Sequence, residues 1–365
     1  LCEKMGKFAR AHILPCHDLG KETDFPWEIW SAMGDQGLLN PEHLAKTSPC
    51  LSITQTARSM VEKGGNLGLA LSWMIHQMTA SYLVRPNLAC LVDKGFWDRV
   101  KIGDATVSFA VSEPKAGAHP KYMAARAEKY EAHYFLSGEK AYLTNGPIAA
   151  CFVVIAVTGT DLDNGEKSFS AFLVPKDIPG LVVGGPMDIP FFKPSPHGNI
   201  QLDGCRLGMD RLLGVEGRAF PDLVLPFRKL EDAAMTGAVT GAMLFVLSRA
   251  AGRLAGRFKI SPGQVEDLGA LGAMTETAVY LSDRIAVMTD QEDGVPEALV
   301  LSFRQTAARF LEDLETLLSE THIGLEGQAA VLAKDLASSA GIGSTVAGIK
   351  KQKIGRRLLD QNAGF

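Results

Sequence analysis

The spacing of apolar positions changes twice along the chain. Up to about residue 103 it is helical. Trp27, Trp30 and Met33 recur at spacings of three, with Pro26 before them and Gly34 and Gly37 after, which predicts a short helix with one buried face. Further helices are predicted over 53–63 and over the apolar stretch 67–84. That stretch contains Ser72, His76, Gln77, Thr79 and Ser81, too polar for a membrane span, so it reads as a buried helix with His76 a core histidine.

Near Thr106 the pattern shortens. Runs rich in β-formers cover 106–111, 134–137, 151–157, 169–174 and 181–183, with breakers at Asp163-Asn164-Gly165, Pro179-Gly180 and Gly184-Gly185-Pro186. These predict an antiparallel, barrel-like β domain ending near Gly217. From about Asp222 long amphipathic helices return, over 230–256, 268–288, 297–321 and 349–359. On the first of these Ala234, Gly237, Ala238 and Gly241 form a small-residue stripe, where another backbone or a flat ring can approach closely. The predicted class is α+β: an N-terminal helical domain (1–103), a middle β domain (104–218) and a C-terminal helical bundle (219–365).

Composition narrows the function. A chain of 365 residues exceeds one ordinary core, and its net charge of −4 gives no reason to expect a nucleic-acid partner. The six cysteines, Cys2, Cys16, Cys50, Cys90, Cys151 and Cys205, form no C-x-x-C pair and no metal cluster, which predicts reduced thiols, a cytoplasmic setting and no bound metal. No basic, apolar, small-residue leader opens the chain, so no signal peptide is expected. Gly214-Val215-Glu216-Gly217 lacks the Lys-Ser/Thr of a phosphate loop, and 193–197 reads as a loop at a pocket rim.

Two segments of the β zone carry more specific information. One is Phe109-Ala110-Val111-Ser112-Glu113-Pro114-Lys115-Ala116-Gly117-Ala118, the other Gly138-Glu139-Lys140-Ala141-Tyr142-Leu143-Thr144-Asn145-Gly146. Together they resemble the flavin-binding signatures of the acyl-CoA dehydrogenase family, and the likeness extends across the chain. The resemblance implies that family's fold, with a C-terminal four-helix bundle, a non-covalent FAD and an acyl-CoA thioester substrate. An electron-transfer flavoprotein would be the oxidant, in a homodimer or homotetramer. Phe109, Val111 and Ser112 would serve the flavin, Tyr142 would cover its ring and Thr144 would bond near N5. Ala118 stands where the family has Ser and His119 where it has Asp, and Tyr142 replaces Trp. Ala118, Arg228 and Gly343 would border the substrate.

The third zone continues the likeness. Thr321-His322-Ile323-Gly324-Leu325-Glu326-Gly327 resembles a turn that touches the adenosine of a neighbouring subunit's FAD, with Thr321 in place of Gln and Leu325 in place of Gly. Thr321, Gly324, Gly327 and Thr345 are thereby implied as cofactor contacts. Arg257 falls at a position that reaches the FAD pyrophosphate across the subunit interface, a role suited to a planar cation.

The chemistry needs a carboxylate to take the α-proton of the thioester. Most of the family carries it in a late turn. Lys334-Asp335 resembles the start of that segment, and counting onward puts Gly343 at the base position. Branches such as the isovaleryl- and long-chain-type enzymes place the Glu on an earlier helix, ten residues before a Gly. Counting back from Gly241 reaches Glu231. Glu231 is the expected base, with Asp232 a competitor one register on; both also suit a helix start as plain dipole complements. Two other readings stay open: a flavin oxidase or monooxygenase on the same fold, and a non-catalytic flavoprotein.

Overall fold

The computed structural model describes residues 1–44, 46–90, 94–161, 165–257, 259–291, 297–341 and 344–362. Its helices are α1 (Cys2–Phe8), α2 (Trp27–Asp35), α3 (Pro49–Gly64), α4 (Leu67–Met78), α5 (Lys94–Ile102), α6 (Leu225–Ala255), α7 (Pro262–Asp290), α8 (Glu297–Glu320), α9 (Gly327–Gly341) and α10 (Ser344–Asn362). The strands are β1 (Thr106–Ala110), β2 (Arg126–Tyr130), β3 (His133–Thr144), β4 (Ala149–Thr160), β5 (Lys167–Pro175), β6 (Leu181–Val183), β7 (His197–Gly208) and β8 (Leu212–Leu213). The turn expected at 163–165 falls, but for Gly165, outside the described residues.

The chain divides into two compact units, residues 1–21, 46–70 and 232–365 in one and residues 22–45 and 71–231 in the other. The helices of the first predicted zone are thus shared between them.

In the second unit the sheet runs β6-β7-β3-β2-β4-β5-β8, with β1 added to β4. It is mixed and open, which corrects the expected antiparallel barrel. Both β1 and β2 run parallel to β4. The end strands β6 and β8 are only three and two residues long. Pro and Gly flank β6, and such short edges leave no ladder with which to close a barrel. Tyr134, Leu136, Leu143, Phe152, Phe172, Ile200 and Leu202 fill one face.

Three strands were not predicted from sequence: β8, only two residues long, and β2 and β7, each for a reason of its own. In β2 only Ala127 of Arg126–Tyr130 is buried, so almost no apolar signal exists. In β7 one extra residue between Leu202 and Cys205, at the left-handed Gly204, breaks the alternation.

In the first unit α3 packs against α6 and α7. Pro49 opens α3, and the carboxylate of Asp290 in α7 accepts from the N–H groups of Cys50 (2.8 Å) and Leu51 (3.0 Å). A carboxylate there satisfies orphan donors and complements the helix dipole. Arg58 of α3 pairs with Asp283 of α7 at 2.8 Å. The small-residue stripe of α6 receives a backbone and no ring: a Cβ on Gly237 would lie 2.1 Å from the Thr54 carbonyl oxygen, and one on Gly241 2.4 Å from that of Arg58. The C-terminal zone contributes five described helices, α6 to α10, where the resemblance implied four. With the turn before it, α6 is long and apolar enough to cross a membrane by composition, but 72% of its most apolar window is buried within the fold, as in a core helix.

His76 of α4 is wholly buried, edge-on to Trp30. The Leu39 and Val100 carbonyls lie near its ring, yet neither nitrogen completes a hydrogen bond. Burial therefore dominates and lowers its pKa to about 4.

Gly237→Ala should lower the denaturant midpoint by an amount equivalent to about 1–3 kcal/mol, because backbone must give way. Gly252→Ala on the same helix meets open space and should stabilise by about 0.5–1 kcal/mol. His76 binds its proton more weakly folded than unfolded. Stability should therefore fall as pH drops from the ordinary histidine value of 6.5 toward 4, by up to about 3 kcal/mol. In His76→Gln, thermal unfolding measured across that window should show a flatter dependence.

Candidate functional site

The site is organised around a buried ion pair. Lys140 Nζ lies 2.8 Å from Glu113 Oε1, with side chains 0% and 7% exposed. Each partner is also held by backbone. Lys140 donates to the Val111 carbonyl (3.1 Å), and the Glu113 carboxylate accepts from Ala124 N–H (2.6 Å) and Ala125 N–H (3.0 Å). Burial pulls the Lys140 pKa down, and the neighbouring carboxylate opposes it. Ala141 N–H donates to the Ser112 carbonyl at 2.9 Å. The segment leaving β1 is thereby fastened to β3, and Glu113 and Gly117 exchange both backbone hydrogen bonds to close the turn after it.

Against this frame β3 bulges. Between Lys140 and Leu143 it carries one more residue than β7, and Tyr142 takes a left-handed φ of 61°. Leu143 enters the core, while Tyr142 (58% exposed) and Thr144 (half-buried) emerge on the other side. Thr144 pairs with His197 at the end of the ladder, and its Oγ1 lies 3.1 Å from His197 Nε2. His197 Nδ1 lies 3.1 Å from the Ser195 carbonyl oxygen, and burial lowers the imidazole pKa. Behind them Ser72 Oγ donates to Ser195 Oγ, and Asn145 Nδ2 to the Ser72 carbonyl.

The opening turns of α6 face the same segment. Phe227 packs on Phe109 with ring centroids 4.6 Å apart, and Arg228 donates to the Ala118 carbonyl at 2.7 Å. Glu231, half-buried, sits four residues after Phe227 and three after Arg228, on their side of the helix. Asp232 is turned elsewhere: its carboxylate faces Arg304 (3.9 Å) and Lys350 (3.7 Å). The two candidate carboxylates are thus given different surroundings by a rotation of one residue.

The remaining predicted contacts belong to the first unit. Arg257 is exposed just past α6. Thr321 is buried, and its hydroxyl donates to the Leu317 carbonyl at 2.6 Å. Gly324 and Gly327 are exposed, with no atom within 4 Å of an added Cβ. Gly343 and the side chain of Thr345 lie outside the described residues. Among the described residues no cluster of His, Cys, Asp or Glu could hold a metal ion.

Three working residues were not singled out from sequence. Glu113 and Lys140 stand inside the two motif segments, where their shared burial has no one-dimensional signal. His197 was read as part of a rim loop, yet it opens β7. Its only available cue was the alternation beginning with Ile200 and Leu202.

The arrangement suits a flavin. Ser112, on the segment after β1, is tied through its carbonyl to Ala141 N–H of β3, beside Tyr142, whose ring is exposed, and Thr144; hydroxyls and an aromatic ring are groups that can meet a flat ring with a polar edge.

Comparisons with known proteins agree with this reading of the fold. Residues 108–205 match the family described as acyl-CoA dehydrogenase, middle domain. The chain is 26% identical to the isovaleryl-CoA dehydrogenase, mitochondrial, of Arabidopsis thaliana, over 98% of this chain and 90% of that protein. It is 27% identical to the 2-methylacyl-CoA dehydrogenase, mitochondrial, of Solanum tuberosum, over 80% and 72%. A solved glutaryl-coenzyme A dehydrogenase–glutaryl-CoA complex shares the fold with a TM-score of 0.80 at 16% identity, over 96% of this chain and 94% of that one.

The ion pair is directly testable. Lys140→Met and Glu113→Leu should each destabilise by about 3–5 kcal/mol in chemical denaturation, because each strands a buried partner. The double variant should recover part of that loss, the Ala124 and Ala125 N–H groups still lacking their acceptor, and strictly additive costs would show that the pair is uncoupled.

Proposed function

The chain belongs to the acyl-CoA dehydrogenase family, and from that premise we propose that it is an FAD-dependent oxidoreductase that removes two hydrogens across the Cα–Cβ bond of an acyl-CoA thioester. The observation that carries the reading is the helix face bearing Phe227, Arg228 and Glu231, two of whose residues are fastened to the segment that also presents Ser112. Glu231 lies on the helix side that makes those two contacts, and the Asp232 carboxylate faces Arg304 and Lys350.

Each residue has a distinct task. Ser112 and Thr144 would hold the polar edge of the flavin and Tyr142 would cover its ring; by the resemblance Thr144 would bond near N5. Glu231 takes the α-proton of the substrate, and hydrogen-bond donors at the thioester carbonyl acidify that carbon. When bound, FAD supplies the two-electron acceptor for the β-hydrogen, which leaves as hydride. Arg228 and the backbone at Ala118 border the entering thioester. Arg257 and the exposed backbone at Gly324 and Gly327 serve the dinucleotide of a second copy in a homo-oligomer. An electron-transfer flavoprotein removes the electrons. The substrates named for the isovaleryl- and 2-methylacyl-CoA relatives make short branched acyl groups the first to try.

Anaerobic titration of the yellow protein with a panel of CoA thioesters should bleach the flavin absorbance, fastest for the preferred acyl group. Glu231→Gln should keep FAD and bleach at least 10²-fold more slowly, the scale of a positioned general base. Equal bleaching by Glu231→Gln would move the base elsewhere. No bleaching by any thioester would remove the dehydrogenase reading, and rapid reoxidation by oxygen would point to an oxidase.

A further inference from the structure

Thr144 does not stand alone at the platform. Its hydroxyl oxygen is 3.1 Å from His197 Nε2, and the other ring nitrogen is 3.1 Å from the carbonyl oxygen of Ser195. We propose that His197 is a positioning residue that fixes the Thr144 hydroxyl as a hydrogen-bond acceptor toward the flavin and thereby raises the reduction potential of bound FAD. This rests on the reading that places Thr144 at flavin N5.

The polarity follows from counting protons. A carbonyl oxygen can only accept, so His197 Nδ1 carries the proton. Burial favours the neutral imidazole, which leaves Nε2 bare and able only to accept. The Thr144 hydroxyl has one proton and donates it to Nε2. Its lone pairs are what remain for a ligand. An oxidised N5 has only a lone pair to offer; a reduced N5 carries a hydrogen and can donate. A hydroxyl oxygen committed as acceptor therefore favours the reduced ring.

The surroundings hold that polarity in place. Ser195 N–H donates to the Phe192 carbonyl, and Ser72 Oγ donates to Ser195 Oγ at 3.0 Å. Asn145 N–H donates to the Pro196 carbonyl at 2.8 Å, and Asn145 Nδ2 to the Ser72 carbonyl at 2.9 Å. These partners are backbone or uncharged side chains. The loop from Phe192 to Pro196 is thus pinned to α4 and to the end of β3, and the Ser195 carbonyl cannot leave Nδ1 without breaking several contacts. The Thr144 carbonyl is held as well, by Ser108 Oγ at 2.8 Å.

The test is the midpoint potential of FAD in the full-length holoprotein, measured without substrate by anaerobic dye equilibration. His197→Phe releases the hydroxyl to donate to oxidised N5. The ratio of oxidised to reduced flavin at a given poise should rise about tenfold, a fall of about 30 mV for a two-electron couple. Thr144→Val should lower the potential too, and adding His197→Phe to it should shift the potential no further. An unchanged potential in His197→Phe, or full additivity in the double variant, overturns the proposal while leaving the flavin reading intact. A protein that takes up no FAD sinks both. Should His197→Phe fail to fold, neutron diffraction of the unmodified holoprotein decides: deuterium on Nδ1 with the Thr144 hydroxyl pointing at Nε2 supports the proposal, and deuterium on Nε2 refutes it.

Discussion

The buried pairing of Lys140 with Glu113 is the constraint on which the platform depends. An ammonium taken fully out of water is tolerated only with a carboxylate and a further acceptor at hand, and the fold supplies Glu113 and the Val111 carbonyl. Glu113 in turn satisfies two backbone N–H groups that begin the run into β2. One pair therefore fixes the end of β1, the bulge of β3 and the approach to β2. Such a pair adds little net stability over an apolar substitute, but it admits few alternative arrangements of the polar groups it joins. Precision of placement is what a hydroxyl platform requires.

The first turns of α6 show how much a helix can separate neighbours. Consecutive side chains point about 100° apart. Glu231 shares a side with Phe227 and Arg228, whose contacts are Phe109 and the Ala118 carbonyl, while Asp232 meets Arg304 and Lys350. The same helix shows the use of glycine: Gly237 and Gly241 are needed because the α3 backbone occupies the space of a Cβ, whereas Gly252 faces nothing. Identical residues on one helix thus differ in role according to what lies opposite.

The order of helices, strands and helices was legible because it is written in local periods. The helices at Trp27–Asp35 and Pro49–Gly64 and the strands at Thr106–Ala110, Ala149–Thr160 and Lys167–Pro175 lie where their apolar spacing put them. The platform residues were legible only through resemblance, since Val, Thr and Tyr are ordinary strand residues. Closure of the sheet was misread because strand count and turn spacing are shared by barrels and open sheets; pairing of the end strands decides between them. The strand β2 was missed because its side chains face water, and β7 because a bulge interrupts its period.

By itself the sequence determined where the chain turns helical or extended, which residues are apolar enough to be buried, and which family's motifs it carries. These properties depend on neighbours a few positions away. The tertiary structure alone decided that Lys140 is buried on Glu113, 27 residues away, that Thr144 meets His197, 53 residues on, and that Asp232 faces Arg304 and Lys350. Charge, hydrogen-bond polarity and proton location are set by contacts between residues far apart in the chain, and no local pattern encodes which of the many possible pairs will meet.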